Sequence, residues 1–285
     1  MTPEMKMLSW EDAVVWLREQ PDQRQLVLDA YYDDPLIHAA ERYFRSGEWQ
    51  EIAALLAGRS GKALDVGAGR GIASYALARQ GFDVTALEPD GSAIVGAEAI
   101  RKLGSDAGLA IEVLQEFSEG LPFENGTFDV VLARAVLHHT RDLDVACREM
   151  FRVLRPGGVF LGLREHVISR EEDLPRFLEQ HPLHRLYGGE CAYLLPRYRA
   201  ALEKAGFSSI EILAPLASAI NLFPYTRESL RAAIIDRLSQ RIPARPLFEL
   251  LLGRGSGFDY LLSLAERFDN RPGRLYSFVC HKSTP

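Results

Sequence analysis

Apolar positions change their spacing along the chain, and these changes divide the sequence into parts. Over residues 8–58 they recur at helical spacing, as Trp10, Val14 and Leu17 do. Between residues 61 and 166, short apolar runs alternate with segments of helix length. Helical spacing returns after residue 218. We therefore predict three parts: an N-terminal helical segment that acts as a lid (1–58), a core (59–218 and 273–285) and a helical cap insertion (219–272).

The alternation in the core predicts an α/β fold with helices on both faces of a parallel sheet. The predicted strands are 62–67, 83–88, 110–114, 128–133, 159–164, 210–213 and 274–280. The predicted core helices are about 70–80, 91–103, 143–154 and 193–205, and Gly81 and Gly104 are expected to end the first two. Outside the core, helices are predicted at 22–32, 35–44, 48–57, 228–241 and 246–252. Residues 167–192 are expected to be polar and irregular.

One stretch, residues 62–74, organises the core. An apolar strand runs into Gly67, Gly69 and Gly71, and a helix follows. Glycines let the backbone turn tightly and let a ligand approach closely, and the free N–H groups of the helix start attract polar ligand groups. Glu88 closes the second strand, where a carboxylate can accept both hydroxyls of a ribose. The competing interpretation is a ligand-free connection, but a simple turn needs only one glycine.

The glycine spacing separates two classes of nucleotide ligand. The glycines follow a G-x-G-x-G pattern, because position 72 is Ile. The dinucleotide fingerprint has one more residue before its third glycine, which lets the backbone approach a pyrophosphate. The pattern therefore favours a nucleoside ligand without a pyrophosphate.

Composition narrows the class of protein further. The net charge of −6 and the sequence pI of about 5.7 argue against a general nucleic-acid binder. Cys147, Cys191 and Cys280 form no C-x-x-C pair, which is typical of a reduced, cytoplasmic setting. Residues 1–10 lack the apolar stretch of a signal peptide. The longest uncharged apolar stretch, residues 213–225, is too short to span a bilayer. We expect a cytoplasmic protein without a membrane span.

Three stretches together resemble a known family: residues 64–71 with 88–90, residues 121–131, and residues 137–139 followed by 149–158. With them the chain resembles the class I S-adenosylmethionine-dependent methyltransferases, in the subgroup around the ubiquinone/menaquinone C-methyltransferases. The match covers about residues 60–165 well and 193–213 and 274–282 loosely. The resemblance implies a Rossmann-like, doubly wound sheet of seven strands whose last strand is antiparallel. It also implies S-adenosyl-L-methionine as the cofactor.

The resemblance also implies where the cofactor binds. Gly67, Ala68, Gly69 and Gly71 would line it, and Glu88 with the adjoining Pro89 would meet the ribose.

The remaining cofactor contacts come from neighbouring stretches. Asp65 would help to fix the methionine end, and the backbone around Arg134 and Ala135 would flank the sulfonium. One position departs from the family, which usually has an Asp followed by a small residue shortly before the Leu-Pro-Phe motif. Here Glu116 and Phe117 stand at that point. Either Glu116 bonds the adenine amine while Phe117 stacks on the ring, or the adenine pocket is altered.

Histidines supply the candidate catalytic residues. A hydroxyl or acidic C–H acceptor needs a base, and a histidine titrates near neutral pH. His138, His139 and His166 follow the fourth and fifth strands, where such a base is expected, and Glu165 lies beside them. In the competing interpretation, His138 and His139 only pack at a helix start.

The same region raises the question of a metal. His166, His181, His184, Glu190 and Cys191 are ligand types that bind zinc or iron. Their spacing matches no recognised metal site, and His181 and His184 are expected in a loop. We therefore predict loop histidines near a substrate pocket and no metal.

The predicted function is methyl transfer from S-adenosylmethionine to a small or medium organic molecule, with homodimer formation left open. Arginines of the cap suit a carboxylate or phosphate on the acceptor, but a solvated helix face is the favoured explanation of them. The alternative is a non-catalytic adenosylmethionine-binding or regulatory protein on the same fold. A nicotinamide-dependent oxidoreductase is a third hypothesis, but Ile72 and the Leu-Pro-Phe stretch count against it. The acceptor atom, O, N, C or S, is left open.

Overall fold

The computed structural model describes residues 7–188, 190–253 and 255–284. Its centre is one mixed sheet. The strands are β1 (Lys62–Val66), β2 (Asp83–Leu87), β3 (Ile111–Leu114), β4 (Phe128–Arg134), β5 (Leu154–Ile168), β6 (Tyr193–Leu194), β7 (Ser209–Leu213) and β8 (Arg274–His281). They lie in the order β3-β2-β1-β4-β5-β8-β7, and the short β6 pairs with the end of β5. The β8 strand runs antiparallel to both β5 and β7, which confirms the predicted fold class and its antiparallel last strand.

Helices surround this sheet. They are α1 (Trp10–Arg18), α2 (Arg24–Asp29), α3 (Leu36–Phe44), α4 (Gly47–Leu55), α5 (Ile72–Arg79), α6 (Ala97–Ala107), α7 (Leu143–Val153), α8 (Leu174–Glu179), α9 (Pro182–Tyr187), α10 (Leu195–Ala205), α11 (Ala219–Leu222), α12 (Arg227–Arg241), α13 (Arg245–Leu252) and α14 (Gly255–Phe268). Within the described residues, no helix is both long enough and apolar enough to cross a membrane.

The alternation of side chains along β4 explains why both faces of the sheet are covered. Val131 and Ala133 belong to the core cluster that includes residues of α7 and α10, whereas Val130 and Leu132 belong to the cluster that includes residues of α4 and α5. All four side chains are fully buried. Successive strand residues point to opposite faces, so a strand between two helix layers must be apolar throughout. Each buried Val or Leu contributes about 1.5–3 kcal/mol through the hydrophobic effect.

The glycine predicted to end the second core helix does not end it. The α6 helix continues through Gly104 to Ala107, and Gly108, with φ 65°, takes the left-handed C-terminal position. A Cβ on Gly104 would lie 3.1 Å from the carbonyl oxygen of Leu109. Gly104 is therefore required by close packing against the chain that leaves the helix, and the prediction was wrong because it assigned this glycine to a cap.

The prediction of an irregular segment over residues 167–192 was also wrong. The β5 strand extends to Ile168 because its last residues pair with β8, Glu165 opposite Tyr276 and His166 opposite Leu275. The chain then forms α8 and α9, so His184 lies on a helix and His181 caps it. Tyr193, the predicted first residue of a helix, lies in β6.

The cap insertion contains two more helices than the sequence predicted, the short α11 and the longer α14. The glycines at 253, 255 and 257 read as helix breakers, yet α14 begins at Gly255. Phe258 and Leu262 of this helix are buried, and α13 packs against it. Tertiary packing has therefore overridden the poor helix propensity of the glycines.

Candidate functional site

The loop between β1 and α5 is a tight left-handed turn. Gly67, Gly69 and Gly71 have φ values of 63°, 54° and 82°. A Cβ on Gly67 would lie 2.6 Å from Cγ2 of Val136, and a Cβ on Gly71 would lie 3.0 Å from Cγ2 of Ile100. A Cβ on Gly69 would meet no atom within 4 Å. Packing therefore requires two of the glycines, whereas the third keeps space open beside the backbone.

Glu88 joins this loop to the end of β2. Its carboxylate accepts the N–H of Gly69 at 2.7 Å and the N–H of Asp90 at 3.0 Å. Burial raises the pKa of Glu88 to about 7, because only 8% of the residue is exposed. A carboxylate has about four acceptor positions, so the two oxygens retain capacity for further donors. Ala68 is buried in the loop, and Pro89 is exposed just beyond it.

Asp65 points from β1 into α5. Its carboxylate accepts the hydroxyl hydrogen of Ser74 at 2.6 Å. Burial raises the pKa of Asp65 to about 7. In this structure Asp65 therefore fixes the start of α5, and its predicted role at the methionine end stays a prediction.

The residues that depart from the family pattern lie on the surface after β3. Glu116 and Phe117 are both exposed. The guanidinium of Arg141 lies 4.2 Å from the centre of the Phe117 ring, a cation–π contact. The ring of Phe117 thus pairs with Arg141, and its predicted stacking on adenine stays a prediction.

Arg134 at the end of β4 forms a buried ion pair that the sequence did not reveal. Its Nε and terminal nitrogen donate to the carboxylate of Glu48 at 2.5 and 3.0 Å, and Tyr43 donates its hydroxyl to the same carboxylate at 3.3 Å. Burial alone would raise the pKa of Glu48, but Arg134 outweighs it and lowers that pKa. Ala135 follows in the left-handed region, with φ 57°. The sequence signal was a single acid within the apolar face of α4.

Arg70 of the glycine loop was also missed. It is 7% exposed, and its guanidinium donates to the carbonyls of Tyr31 at 2.7 Å and Asp33 at 3.0 Å. It also binds the carboxylate of Asp34 at 2.5 Å. These contacts tie the N-terminal segment to the loop. The signal available in the sequence was an arginine placed between two glycines of the loop.

The turn after β4 is held by one carboxylate. Glu165 is fully buried and accepts the backbone N–H groups of Val136, Leu137 and His138 at 3.0, 3.1 and 3.2 Å. Its Oε2 also lies 2.6 Å from Nδ1 of His138. Glu165 therefore fixes both the backbone and the imidazole plane at this point.

His138 lies between two acids. Its Nε2 is 3.1 Å from Oε1 of Glu190, so the ring bridges Glu165 and Glu190. Burial alone would lower the pKa of His138, but the two carboxylates outweigh it and raise that pKa to about 9. Burial likewise would raise the pKa of Glu190, whereas the neighbouring His138 lowers it to about 2. The two carboxylates therefore favour the protonated form of this histidine.

Three more histidines place their Nε2 atoms close to the carboxylate of Glu190. Nε2 of His139 and Nε2 of His184 are each 3.7 Å from Oε2 of Glu190, and Nε2 of His166 is 4.0 Å from Oε1. Burial, with His138 nearby, lowers the pKa of His166 well below its ordinary value. His181 instead accepts the N–H of Leu183 at 3.2 Å and caps α9. The structure therefore brings the predicted catalytic histidines together with His184 and Glu190.

Val136 connects the two halves of the site. Its side chain is the group that a Cβ on Gly67 would strike, and its N–H binds Glu165. The glycine loop and the histidines thus lie side by side at the carboxyl ends of β1, β4 and β5. A cavity of about 1060 Å³ lies elsewhere, lined in part by Arg42 and Glu48, and none of the loop glycines lines it. The candidate site is therefore assigned from the polar contacts around the glycine loop and the histidines, and not from this cavity.

Comparison with known proteins identifies the family. Residues 64–162 match the model of a methyltransferase domain. The chain is 28% identical to the uncharacterized methyltransferase YodH of Bacillus subtilis, over 60% of this chain and 70% of that protein. It is 31% identical to the ubiquinone/menaquinone biosynthesis C-methyltransferase UbiE of Cronobacter sakazakii, over 62% of this chain and 66% of that protein.

A solved structure shares the fold. Phosphoethanolamine N-methyltransferase 2 of Haemonchus contortus, in complex with S-adenosyl-L-methionine, superposes with a TM-score of 0.54 at 21% identity, over 98% of this chain and 61% of that chain. The matched domain spans β1 to β5 and contains the glycine loop, Glu88 and the turn after β4. The chain belongs to the class I S-adenosylmethionine-dependent methyltransferases, enzymes whose cofactor is S-adenosylmethionine.

Proposed function

We propose that this protein transfers the methyl group of S-adenosylmethionine to a small or medium organic molecule. The observation that carries the proposal is the contact between the loop and Glu88, in which a buried carboxylate binds the N–H of Gly69 at 2.7 Å. That contact places Gly69, which has no side chain to block a ligand, next to a carboxylate that can accept hydrogen bonds from the ribose hydroxyls.

The residues present fit the cofactor. The open space beside Gly69 is what an adenosyl group needs in order to approach the backbone, and Glu88 has unused acceptor capacity for the ribose hydroxyls. Gly67 and Gly71 would set the shape of the loop. The backbone at Ala135 would flank the sulfonium, because Val136 contacts the loop from the end of the neighbouring strand.

The histidines are proposed to activate the acceptor. When bound, S-adenosylmethionine would supply a methyl group whose carbon is attacked by an acceptor electron pair, while the opposite carbon–sulfur bond breaks and S-adenosylhomocysteine leaves. His138 is 1% exposed and fixed between two carboxylates, so it would position its neighbours. His139 and His166 are more accessible, with 33% and 22% of their side chains exposed. These two would face the acceptor and its proton.

The N-terminal segment and α9 are proposed to enclose a small acceptor. Trp10 packs edge-to-face on both Tyr32 and Tyr187, which brings α1 over the histidines. Tyr187 in turn contacts the ring of His139. This cover suits a small molecule better than a polymer, because a polymer needs an open groove. Homodimer formation and a cytoplasmic location stay predictions from the sequence.

A labelling experiment tests the function. The protein is incubated with methyl-labelled S-adenosylmethionine and a cell extract separated into low-mass and macromolecular fractions. Label in a low-mass product supports the proposal, and label only in macromolecules contradicts the acceptor class. Binding of S-adenosylhomocysteine by calorimetry without any labelled product would instead favour a non-catalytic binder, the alternative that the relatives do not favour.

A further inference from the structure

A compact group of imidazoles and carboxylates lies beside the proposed cofactor loop, at the ends of β4 and β5. We call it the histidine cluster, and its members are His138, His139, Glu165, His166, His184 and Glu190. They come from three separate parts of the chain: the turn after β4, the end of β5, and the segment from α9 to β6. The fold therefore gathers them, although their sequence spacing matches no metal motif.

Glu190 is the centre of the cluster. Four imidazole nitrogens lie 3.1 to 4.0 Å from its two oxygens, and each of them is an Nε2 atom. Two groups, His138 with His139 and Glu190, and His166 with His184 and Glu190, each have their ligand atoms within 4.8 Å of one another. Two ligand atoms bound at about 2.0–2.2 Å to one tetrahedral zinc are roughly 3.3 Å apart. Each group of three therefore approaches the spacing that one ion needs, and the two groups share Glu190.

The far sides of the rings are held in the way that metal ligands are held. Nδ1 of His138 is 2.6 Å from Glu165, and Nδ1 of His166 is 3.2 Å from the carbonyl oxygen of Gly273. Metal-bound histidines usually use their second nitrogen in this way, with a carboxylate or a backbone carbonyl as partner. The partners fix the rings so that Nε2 points to Glu190.

Two buried polar atoms of the cluster fall short of good hydrogen-bond geometry, although Oε1 of Glu190 lies 3.1 Å from Nε2 of His138. Oε1 of Glu190 and Nδ1 of His184 are buried and make no aligned hydrogen bond. The side chain of Glu190 is 3% exposed, so water does not solvate it freely. Within the described residues, no lysine or arginine lies within ion-pair distance of Glu165 or Glu190. His138 alone lies between the two buried carboxylates, and a divalent ion would balance the remaining negative charge.

We propose that Glu190, His166 and His184 bind one divalent transition-metal ion, which leaves a fourth tetrahedral position for the acceptor and leaves His139 to face the acceptor's proton. Imidazole and carboxylate donors suit zinc, iron, cobalt or nickel, whereas magnesium and calcium prefer oxygen ligands alone. The role of the ion rests on the proposed function: it would bind an oxygen of the acceptor and lower the pKa of that group. This replaces the sequence expectation of metal-free loop histidines, since His184 lies on α9 and faces Glu190.

Metal binding is measured on tag-free protein after dialysis against a chelator. Zinc is titrated by calorimetry, and cobalt by its visible absorption, which reports nitrogen and oxygen ligation. We expect one ion per chain. Glu190→Gln and His184→Gln should each weaken zinc binding at least about tenfold. Removal of a residue that only hydrogen-bonds to a metal ligand already costs about tenfold or more in affinity, and removal of a ligand should cost at least as much. Zinc should raise the melting temperature of the wild type but not of Glu190→Gln.

His181→Asn is the matched control. It removes an imidazole from the same helix start, and asparagine can still accept the capping N–H. Its zinc affinity should stay close to that of the wild type. The proposal is overturned if the wild type binds no ion, or if Glu190→Gln, folded by circular dichroism, binds zinc as the wild type does. The proposal is also overturned if His181→Asn loses as much zinc affinity as His184→Gln does.

Calorimetry with S-adenosylhomocysteine separates this proposal from the proposed function. Cofactor binding without zinc binding removes the metal site and leaves methyl transfer in place. Zinc binding without cofactor binding supports the metal site and contradicts the proposed function.

Discussion

The substitution Gly69→Ala separates the two demands that the structure places on the glycine loop. Gly69 has φ 54°, in the region where an alanine costs about 1–2 kcal/mol. Its added Cβ would meet no protein atom within 4 Å, so no further clash contributes. For a chain of this size, that cost lowers the melting temperature by roughly 2–8 °C. The variant should fold.

The same Cβ would enter the space proposed for the cofactor. Overpacking by one methyl group in a close contact costs about 1–3 kcal/mol, which weakens binding roughly 5- to 150-fold. The assay is calorimetric titration of S-adenosylhomocysteine into the wild type and the variant, with the melting temperature of each recorded. We expect a small loss of stability and a large loss of affinity.

Gly108→Ala is the matched control. Gly108 has φ 65° at the end of α6, and a Cβ there would also meet nothing within 4 Å. The two variants therefore carry the same backbone strain. They differ only in location, since Gly69 lies in the glycine loop and Gly108 at the end of α6. Gly108→Ala should lose similar stability and keep its affinity for S-adenosylhomocysteine. Equal affinities in all three proteins would refute the placing of the cofactor at this loop.

Three further predictions follow from buried groups. Glu48→Gln should lower the free energy of unfolding by about 3–5 kcal/mol, because it removes the charge of the fully buried carboxylate that pairs with Arg134. Glu41→Gln, which breaks an exposed ion pair, should cost less than about 1 kcal/mol. Equal losses of stability in chemical denaturation would contradict the buried pair. Burial raises the pKa of Glu88 to about 7 and the ribose should bind its ionised form, so affinity for S-adenosylhomocysteine should rise as pH increases through about 7. Glu88→Gln should flatten that profile, and an unchanged slope in Glu88→Gln would count against this role. Arg70→Met should free the N-terminal segment and speed its cleavage in limited proteolysis, whereas wild-type cleavage rates would show that the arginine contacts do not hold it.

The sequence predicted those features that depend on neighbouring residues. The strand, the three glycines and Glu88 were placed because turn conformation and strand ends are local properties. The same local reasoning misread Gly104, whose role is set by the approach of Leu109 after the helix. A glycine needed for packing and a glycine needed for a cap look alike in sequence.

Contacts between distant segments could not be predicted from spacing. Arg134 was predicted to contribute its backbone, but its side chain pairs with Glu48 of α4, from a helix far earlier in the chain. Glu190 and His138 likewise come together only because β5 extends to Ile168 and α9 returns the chain to the turn after β4. Composition shows that such residues are present, whereas the fold decides which of them meet.

The most direct test of the account is a crystal structure of the protein with S-adenosylhomocysteine bound. The account predicts ribose hydroxyls within hydrogen-bond distance of the Glu88 carboxylate and the nucleoside lying against Gly69. A ligand bound in another cavity, or a Glu88 carboxylate that makes no contact with the ribose, would contradict it.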